Sequence, residues 1–524
     1  MIIGQRLGMI SNDDKYRINT PMMSAFSILS LSRVNSTTAT FALAFILGLS
    51  LTLLSIVGYN SGFSIISSAY ARPAVSPDGP TLNDPNLIVE TVYQGLKSPT
   101  SMAFLGPDDI LVLEKGQGTV QRIINGEILP EPLLQVDVTS KDERGLLGIA
   151  IASPQEEDEE ENREQEESAT LATTTTETTT TTTRGGSPPS SPTYVFLFFT
   201  EAGDSKDDTP AGNRVYKYEL VENNTKLVNP TLILDLPATP DDSHVGGALQ
   251  IGPDNHLYLT IGDQRPTAFD RTNDPDSQTK AQNYADGIEP DGRAGILRIT
   301  QDGAVVGGNE GIFGNEHPLN KYYAIGVKNS FGIDFDPVTG YLWDTENGPT
   351  FGDEINLVEP GFNSGWASIQ GFWTLDDGHK KVEEVIPTSS INAEEEERDY
   401  GLVDFDGKGK YSSPEFVWDV APTAISFLNS DRLGEQYEHD IFVGDAKYGN
   451  LYHFKLDEQR TGLLLDGPLE DRIGTIEELE QQGAVFGHGF GVITDIEVGP
   501  DGYLYVLSFG KEGNLYRIVP ATNS

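Results

Sequence analysis

The stretch "YLYVLSFGKEGNLYRIV" (Tyr503–Val519) decides the fold of this chain. An apolar, aromatic-rich run reaches a turn at Gly510–Gly513, and a second run of alternating residues closes on Arg517-Ile518. Two such runs joined by a short Gly-containing connection read as a β-hairpin. The unit recurs upstream. It stands at "ILVLEKGQGTVQRI" (Ile110–Ile123) and at "YVFLFFTEAG" (Tyr194–Gly203) with "NRVYKYEL" (Asn213–Leu220). It stands again at "HLYLTIGD" (His256–Asp263) with "GILRI" (Gly295–Ile299) and at "YLWDTENG" (Tyr341–Gly348) with "DEINLV" (Asp353–Val358). A further copy is "DIFVGDAKYGNLYHFKL" (Asp440–Leu456). Gly-Pro-Asp introduces three copies, at 106–108, 252–254 and 499–501. Six hairpins at wide, irregular spacing, with few amphipathic helical periods, predict an all-β chain built by radial repetition. The expectation is a six-bladed β-propeller over residues 87–520, one four-stranded sheet per blade. A pair of β-sandwiches would leave six equivalent hairpins without a reason.

Composition narrows the function classes. The chain has 524 residues, a net charge of −45 and no cysteine. A polyanion would be repelled by that charge, which excludes nucleic acid as a partner and reads most simply as a solvated surface. Without cysteine there are no disulfides, thiolate metal sites or thiol nucleophiles. At the N-terminus Arg6, Lys15, Arg17 and Arg33 precede the uncharged run "ATFALAFILGLSLTLLSIVG" (Ala39–Gly58), which is followed by "SAYA" (Ser68–Ala71). The run is long enough to span a bilayer, and the small-x-small pattern suits signal peptidase. Residues 1–71 are therefore expected to be a signal peptide or a membrane anchor, and the protein to be exported, with a Pro-rich linker over 72–86. Gln155–Pro192 is acidic, then Thr-rich, then Gly/Ser/Pro-rich. It cannot bury a core, so it is expected as a disordered loop on one rim. Thr374–Ser413, with "NAEEEERDYG" (Asn392–Gly401) at its centre, is expected as a second excursion.

In a propeller the chemistry belongs to loops carried by rigid strands. Four loops stand out. "DDSHVGGAL" (Asp241–Leu249) places His244 between acids and Gly246-Gly247, where a ligand could approach the backbone. A neutral imidazole there is a candidate general base; the plain alternative is a surface-turn histidine. "TENGPTFGDEINL" (Thr345–Leu357) offers turn carbonyls with Asp353 and Glu354, the oxygen donors that hard cations want, although the spacing is not that of an EF-hand. A solvated acidic turn explains the same residues. "IGVKNSFGIDFD" (Ile325–Asp336) carries Lys328 and Asn329 just before a strand, and "DAKYG" (Asp445–Gly449) carries Lys447 at a hairpin. A lysine in a turn is otherwise simply solvated.

Taken in order, these blocks, with "ERGLLGIA" (Glu143–Ala150) and "VGPDGYLYVLS" (Val498–Ser508), resemble the soluble quinoprotein glucose/sorbosone dehydrogenases, also called aldose sugar dehydrogenases. The resemblance covers Leu87–Val519, and its most specific block is "TENGPTFGDEINLVEPGFNSGW" (Thr345–Trp366). It implies a six-bladed propeller that binds pyrroloquinoline quinone (PQQ) and calcium. By the same resemblance His244 matches the general base. Gly348 and Pro349 match backbone carbonyl ligands of the calcium that touches the quinone. Lys447 and Asn329 match cofactor contacts, with Lys328 beside Asn329, and Glu143 stands beside the substrate. Glu354 matches a ligand of a separate structural calcium, with Asp353 next to it. The implied reaction is oxidation of an aldose by hydride transfer from C1 to the quinone, with electrons passed to an external acceptor.

Three departures bear on this. Lys328 stands where an arginine is usual, which keeps the charge but loses the planar fork. Val492 and Thr494, in "VITD" (Val492–Asp495), stand where the family has two arginines that grip the cofactor carboxylates. Ser243 stands where an acid often precedes the histidine. The alternative reading is an exported propeller that has lost PQQ and serves as a binding module or a calcium-dependent, lactonase-like hydrolase.

Overall fold

The computed structural model describes residues 73–152, 192–204, 209–221, 224–264, 278–308, 310–376, 379–385 and 400–521. The Ala39–Gly58 run, the SAYA site, all but the last residue of the Gln155–Pro192 insert and most of the Asn392–Gly401 excursion lie outside them. The described residues are almost wholly β. The one α-helix among them, Ile476–Gln482, starts at a capping box in which Thr475 and Glu478 satisfy each other's backbone N–H.

Each hairpin read from the sequence is a paired antiparallel hairpin. Leu504–Phe509 pairs with Gly513–Pro520, and Asp109–Glu114 with Thr119–Ile124. Tyr194–Ala202 pairs with Pro210–Val221, and Leu257–Ile261 with Gly295–Ile299. Leu342–Glu346 pairs with Asp353–Val358, and Ile441–Asp445 with Leu451–Phe454. Every hairpin lies within a larger sheet in which it is flanked by an antiparallel first strand that precedes it in the chain. The first strands of these sheets are Pro99–Gly106, Leu146–Ala152, Leu249–Ile251, Ser330–Phe335, Pro422–Phe427 and Val492–Val498. Each packs beside the next, and Val492–Val498 packs beside Pro99–Gly106. The last sheet borrows its outer strand from the start of the described chain: Leu87–Leu96 pairs with Gly513–Pro520. Strands near both ends of the described residues are thereby tied into one sheet.

Alternation along the strands sends apolar side chains to both faces, because each sheet is covered on both sides. The core is accordingly divided into layers between neighbouring sheets. Phe196, Phe198, Leu257 and Leu259 fill one layer. Ile425, Ile441, Trp343 and Trp418 fill another. Leu96, Met102 and Val112 meet Tyr505 and Leu507 where the last sheet faces the first. Each such apolar side chain, fully buried, contributes roughly 1.5–3 kcal/mol. The framework holds the loops between sheets in place, and those loops carry the candidate residues.

Candidate functional site

The loop that enters the third sheet brings His244 inward. His244 is buried and has φ 54°, a left-handed conformation uncommon for a non-glycine residue. Gly246 and Gly247 follow at φ 68° and 111°. A Cβ on Gly246 would come within 2.7 Å of the Thr260 carbonyl oxygen, so only glycine lets this backbone lie flat on the neighbouring strand. Gly262 is equally constrained: a Cβ there would strike the His244 carbonyl and come within 2.9 Å of Asn329 Oδ1.

His244 is gripped on both ring nitrogens. Nδ1 lies 2.6 Å from Asp263 Oδ1, and Nε2 lies 3.2 Å from Lys328 Nζ. Asp263 is fixed in turn. Its Oδ2 accepts from the Trp366 indole N–H at 2.7 Å, and its backbone N–H donates to the Lys328 carbonyl at 2.8 Å. Asn329 ties the network to Glu143. Its Oδ1 accepts from Gly246 N–H at 3.1 Å, and its amide donates to Glu143 Oε2 at 3.3 Å. The same Glu143 oxygen accepts from Val245 N–H at 3.1 Å. The structure thus brings His244, Glu143, Lys328 and Asn329, drawn from three sheets, into one cluster.

Burial sets the electrostatics of this cluster. It pushes the Glu143 carboxyl up from its ordinary value, against the opposing pull of His244, the Val245 N–H and Lys328. It pushes the Lys328 amine down, against the pull of Asp263, Glu143, Glu346 and Asp353. Glu346 accepts the Lys328 backbone N–H at 2.7 Å; burial, then the charges of Glu354 and Asp344, raise its carboxyl well above the usual range. The arrangement is that of a base with its orienting acid: Asp263 accepts from Nδ1–H and leaves the imidazole lone pair on Nε2.

Gly348, Pro349, Asp353 and Lys447 form a neighbouring group, joined to the first where Asn347 N–H donates to the Asn329 carbonyl at 2.8 Å. Asp353 shapes the turn. Its Oδ1 accepts from Gly348 N–H at 2.9 Å, and its Oδ2 from Val420 and Ala421 N–H at 2.9 and 2.7 Å. Lys447 Nζ meets Asp419 Oδ1 at 2.9 Å and the Asp419 carbonyl at 3.0 Å. Glu354 is fully buried behind the turn and accepts four donors: Gln370 Nε2 and Gly371 N–H on one oxygen, Ser364 Oγ and Asn356 Nδ2 on the other.

These contacts test the expected groups. No donor among the described residues takes the Gly348 or Pro349 carbonyl, so this half-exposed pair is free to meet a hard cation. The carboxylates of Asp353 and Glu354, expected from the resemblance to be metal-side acids, accept protein donors. They hold the turn and the strand behind it. No group of three or more His, Asp or Glu side chains suited to a metal forms among the described residues. Towards the quinone, the two positions where arginines were missed carry no charge. Val492 is buried, and Thr494 Oγ1 donates to the Pro99 carbonyl at 3.1 Å. Ser243 N–H donates to Asp241 Oδ1 at 3.1 Å and adds no acid beside His244.

Beneath the Gly246-Gly247 backbone runs a cavity lined by the first strands of all these sheets. It includes Thr100, Asp334, Thr423, Asp495 and Glu497. Its acids are pushed up chiefly by burial, Asp334 to about 6 and Asp495 to about 7. Asp263 and Trp366 are members of this cluster that the sequence reading assigned no role, and Glu346, one of the three acids of the Thr345–Leu357 stretch, joins it through the Lys328 N–H. Asp263 ends the quoted strand "HLYLTIGD", and its position after Gly262 was the available signal.

Comparison with known proteins places the chain among sugar dehydrogenases. A family model described as Glucose / Sorbosone dehydrogenase matches residues 188–385 and 387–517. The aldose sugar dehydrogenase YliI of Escherichia coli (strain K12) is 24% identical over 438 residues, covering 82% of this chain and 92% of that protein. Quinoprotein glucose dehydrogenase B of Acinetobacter calcoaceticus is 30% identical over 185 residues, 34% of this chain and 37% of that one. The crystal structure of the soluble aldose sugar dehydrogenase from Escherichia coli in its apo form superposes with a TM-score of 0.55 at 22% identity, over 83% of this chain and 100% of that one. This last likeness concerns the fold.

Proposed function

Because the chain belongs to the glucose/sorbosone dehydrogenase family, we propose that it is an exported, PQQ- and calcium-dependent aldose dehydrogenase whose sheets form a six-bladed propeller. The observation that carries the reading is the Asp263–His244 pair, 2.6 Å apart, with the ring's other nitrogen turned to the buried side of the network. When bound, the quinone with its calcium supplies the acceptor for the C1 hydride, and an external acceptor later takes the electrons. The chain's own residues do the rest. Asp263 keeps the His244 proton on Nδ1, and Nε2 is then the atom that takes the proton of the anomeric hydroxyl. General-base action of this kind is worth about 10²–10⁴-fold. Glu143, whose carboxyl burial favours in its neutral form, is placed by Val245 and Asn329 to orient a sugar hydroxyl. Gly348 and Pro349 would hold calcium through their carbonyls, and Asn329, Lys328 and Lys447 would contact the cofactor. The loss of positive charge at Val492 and Thr494 favours a second reading, a propeller that has lost PQQ and binds sugars or other ligands without oxidising them. Adding PQQ and calcium to the purified protein separates the two. A bound quinone spectrum with dye-linked aldose oxidation supports the first; no quinone binding at micromolar concentration rejects it.

A further inference from the structure

The His244 ring is closed at both ends. Asp263 accepts from Nδ1, which leaves the lone pair on Nε2, and an ammonium 3.2 Å from that lone pair can only donate to it. Lys328 therefore covers the atom that has to take a substrate proton. One proton lies in the contact between the two nitrogens, on the lysine or on the ring. Lysine and arginine differ here in kind. A guanidinium stays protonated in proteins, so an arginine at this position could leave Nε2 only by moving away. A buried amine can also surrender its proton.

We propose that Lys328 is a positioning residue for the base. Its Nζ holds the Nε2 lone pair of His244 and shares a single proton with it, so that the base opens when Lys328 gives up that proton or turns to another acceptor. The surroundings suit such a balance. Lys328 is buried, its Nζ lies 5.7 Å from the centre of the Trp366 ring, and Asp263, Glu143, Glu346 and Asp353 are the acids that face it. Those acids favour the ammonium, while burial disfavours it and prevails. The step balances without a redox partner: an N–H bond on Nζ breaks and an O–H bond forms on solvent or on one of the facing carboxylates, which leaves Nε2 uncovered; transfer to Nε2 itself would keep the base closed. The proposal rests on reading His244 as the base, but its test needs neither sugar nor quinone.

The test uses the full-length, cofactor-free protein. In ¹⁵N-histidine-labelled material, with His244→Gln to assign the signals, His244 should be the Nδ1–H tautomer with a hydrogen-bonded Nε2. Lys328→Arg should keep that Nε2 signal, and Lys328→Met should move it towards an uncovered lone pair. Acetylation of Lys328, followed by mass spectrometry across pH, should have a midpoint below that of the exposed lysines; burial slows the rate but does not set the midpoint. The Nε2 signal should change with that same midpoint, and in Lys328→Arg the change should vanish. An Nε2–H tautomer, an Nε2 signal equal in wild type and Lys328→Met, or two unrelated midpoints would overturn the proposal. Should Lys328→Met fail to fold, wild type and Lys328→Arg still decide it.

Discussion

Glu354→Ala distinguishes a carboxylate held by protein donors from one held by a metal. In the structure four donors converge on it: Gln370 Nε2 at 2.9 Å, Gly371 N–H at 2.6 Å, Ser364 Oγ at 2.9 Å and Asn356 Nδ2 at 3.2 Å. The substitution takes the Glu354 acceptor from the Gly371 N–H, Ser364 Oγ and Asn356 Nδ2 in a buried pocket, at about 1–3 kcal/mol each, while Gln370 Nε2 keeps the Gly352 carbonyl at 2.8 Å. Their sum is an upper bound, because neighbours that share one partner are not additive. Part of the loss is offset. Burial pushes the Glu354 carboxyl up to about 7, so the native state carries that charge at a cost near pH 8. The expected net loss at pH 8 is then about 2–5 kcal/mol, below that upper bound. Thermal unfolding in calcium and in chelator is the assay. If the carboxylate serves the protein donors, the difference between wild type and mutant is the same in both buffers. A difference that appears only in calcium would refute the reasoning. It would assign Glu354 to a metal, whose binding at a hundredfold excess over Kd adds about 2.7 kcal/mol.

His244→Gln should leave the fold and PQQ binding intact and lower dye-linked aldose oxidation by about two orders of magnitude or more; an unchanged rate would remove His244 from the chemistry. Restoring arginine at Val492 and Thr494 together should tighten PQQ binding in a fluorescence titration, since bidentate pairing with its carboxylates becomes possible; no change would show that the pocket does not present them to the cofactor. The cavity acids Asp334, Asp495 and Glu497 all have raised folded-state values, chiefly through burial, so the folded protein binds more protons than the unfolded chain between the two values. Stability should fall as pH rises from about 4 to about 7, and Glu497→Gln should raise Tm at pH 8 more than at pH 5.5; an equal effect at both would refute the coupling. N-terminal sequencing of native material should read from near Arg72, whereas intact Ala39–Gly58 in a membrane fraction would identify an anchor.

The hairpins were legible because each pairs runs that are neighbours along the chain. Period-2 alternation, a glycine turn and a closing Arg-Ile or Tyr-x-Leu are local signals, and the ladders fall where those signals put them. The partner of Leu87–Leu96 was not legible. Its ladder to Gly513–Pro520 joins residues more than four hundred positions apart, and nothing in "LIVETVYQGL" (Leu87–Leu96) specifies which edge it will cover. The parallel addition of Phe362–Asn363 beside Tyr322–Ile325 is non-local in the same way.

The site divides along the same line. His244 and Asn329 could be named because each sits in a short block with its own marks, a Gly-Gly pair or a polar residue at a strand's edge, whereas Glu143 was named only through the family resemblance. What each side chain does depends on groups from other sheets. Glu354 shows the consequence. In "GDEINL" it is an acid beside an acid, and that pattern alone admits a cation. Once the chain is folded, Gln370-Gly371 and Ser364 are delivered to it from a segment that leaves the sheet and returns, and the donors it needs are already present. Asp263 shows the reverse. In sequence it is only the last residue of an apolar strand, and its role appears when the Gly246 turn brings the imidazole down onto it while Trp366 closes the other oxygen. The residue type at a position was therefore the weaker guide to chemistry here. The stronger one was whether folding supplies each polar atom with a protein partner. By that measure the carbonyls of Gly348 and Pro349 are open groups among the described residues, and the poised contact is the one between His244 and Lys328.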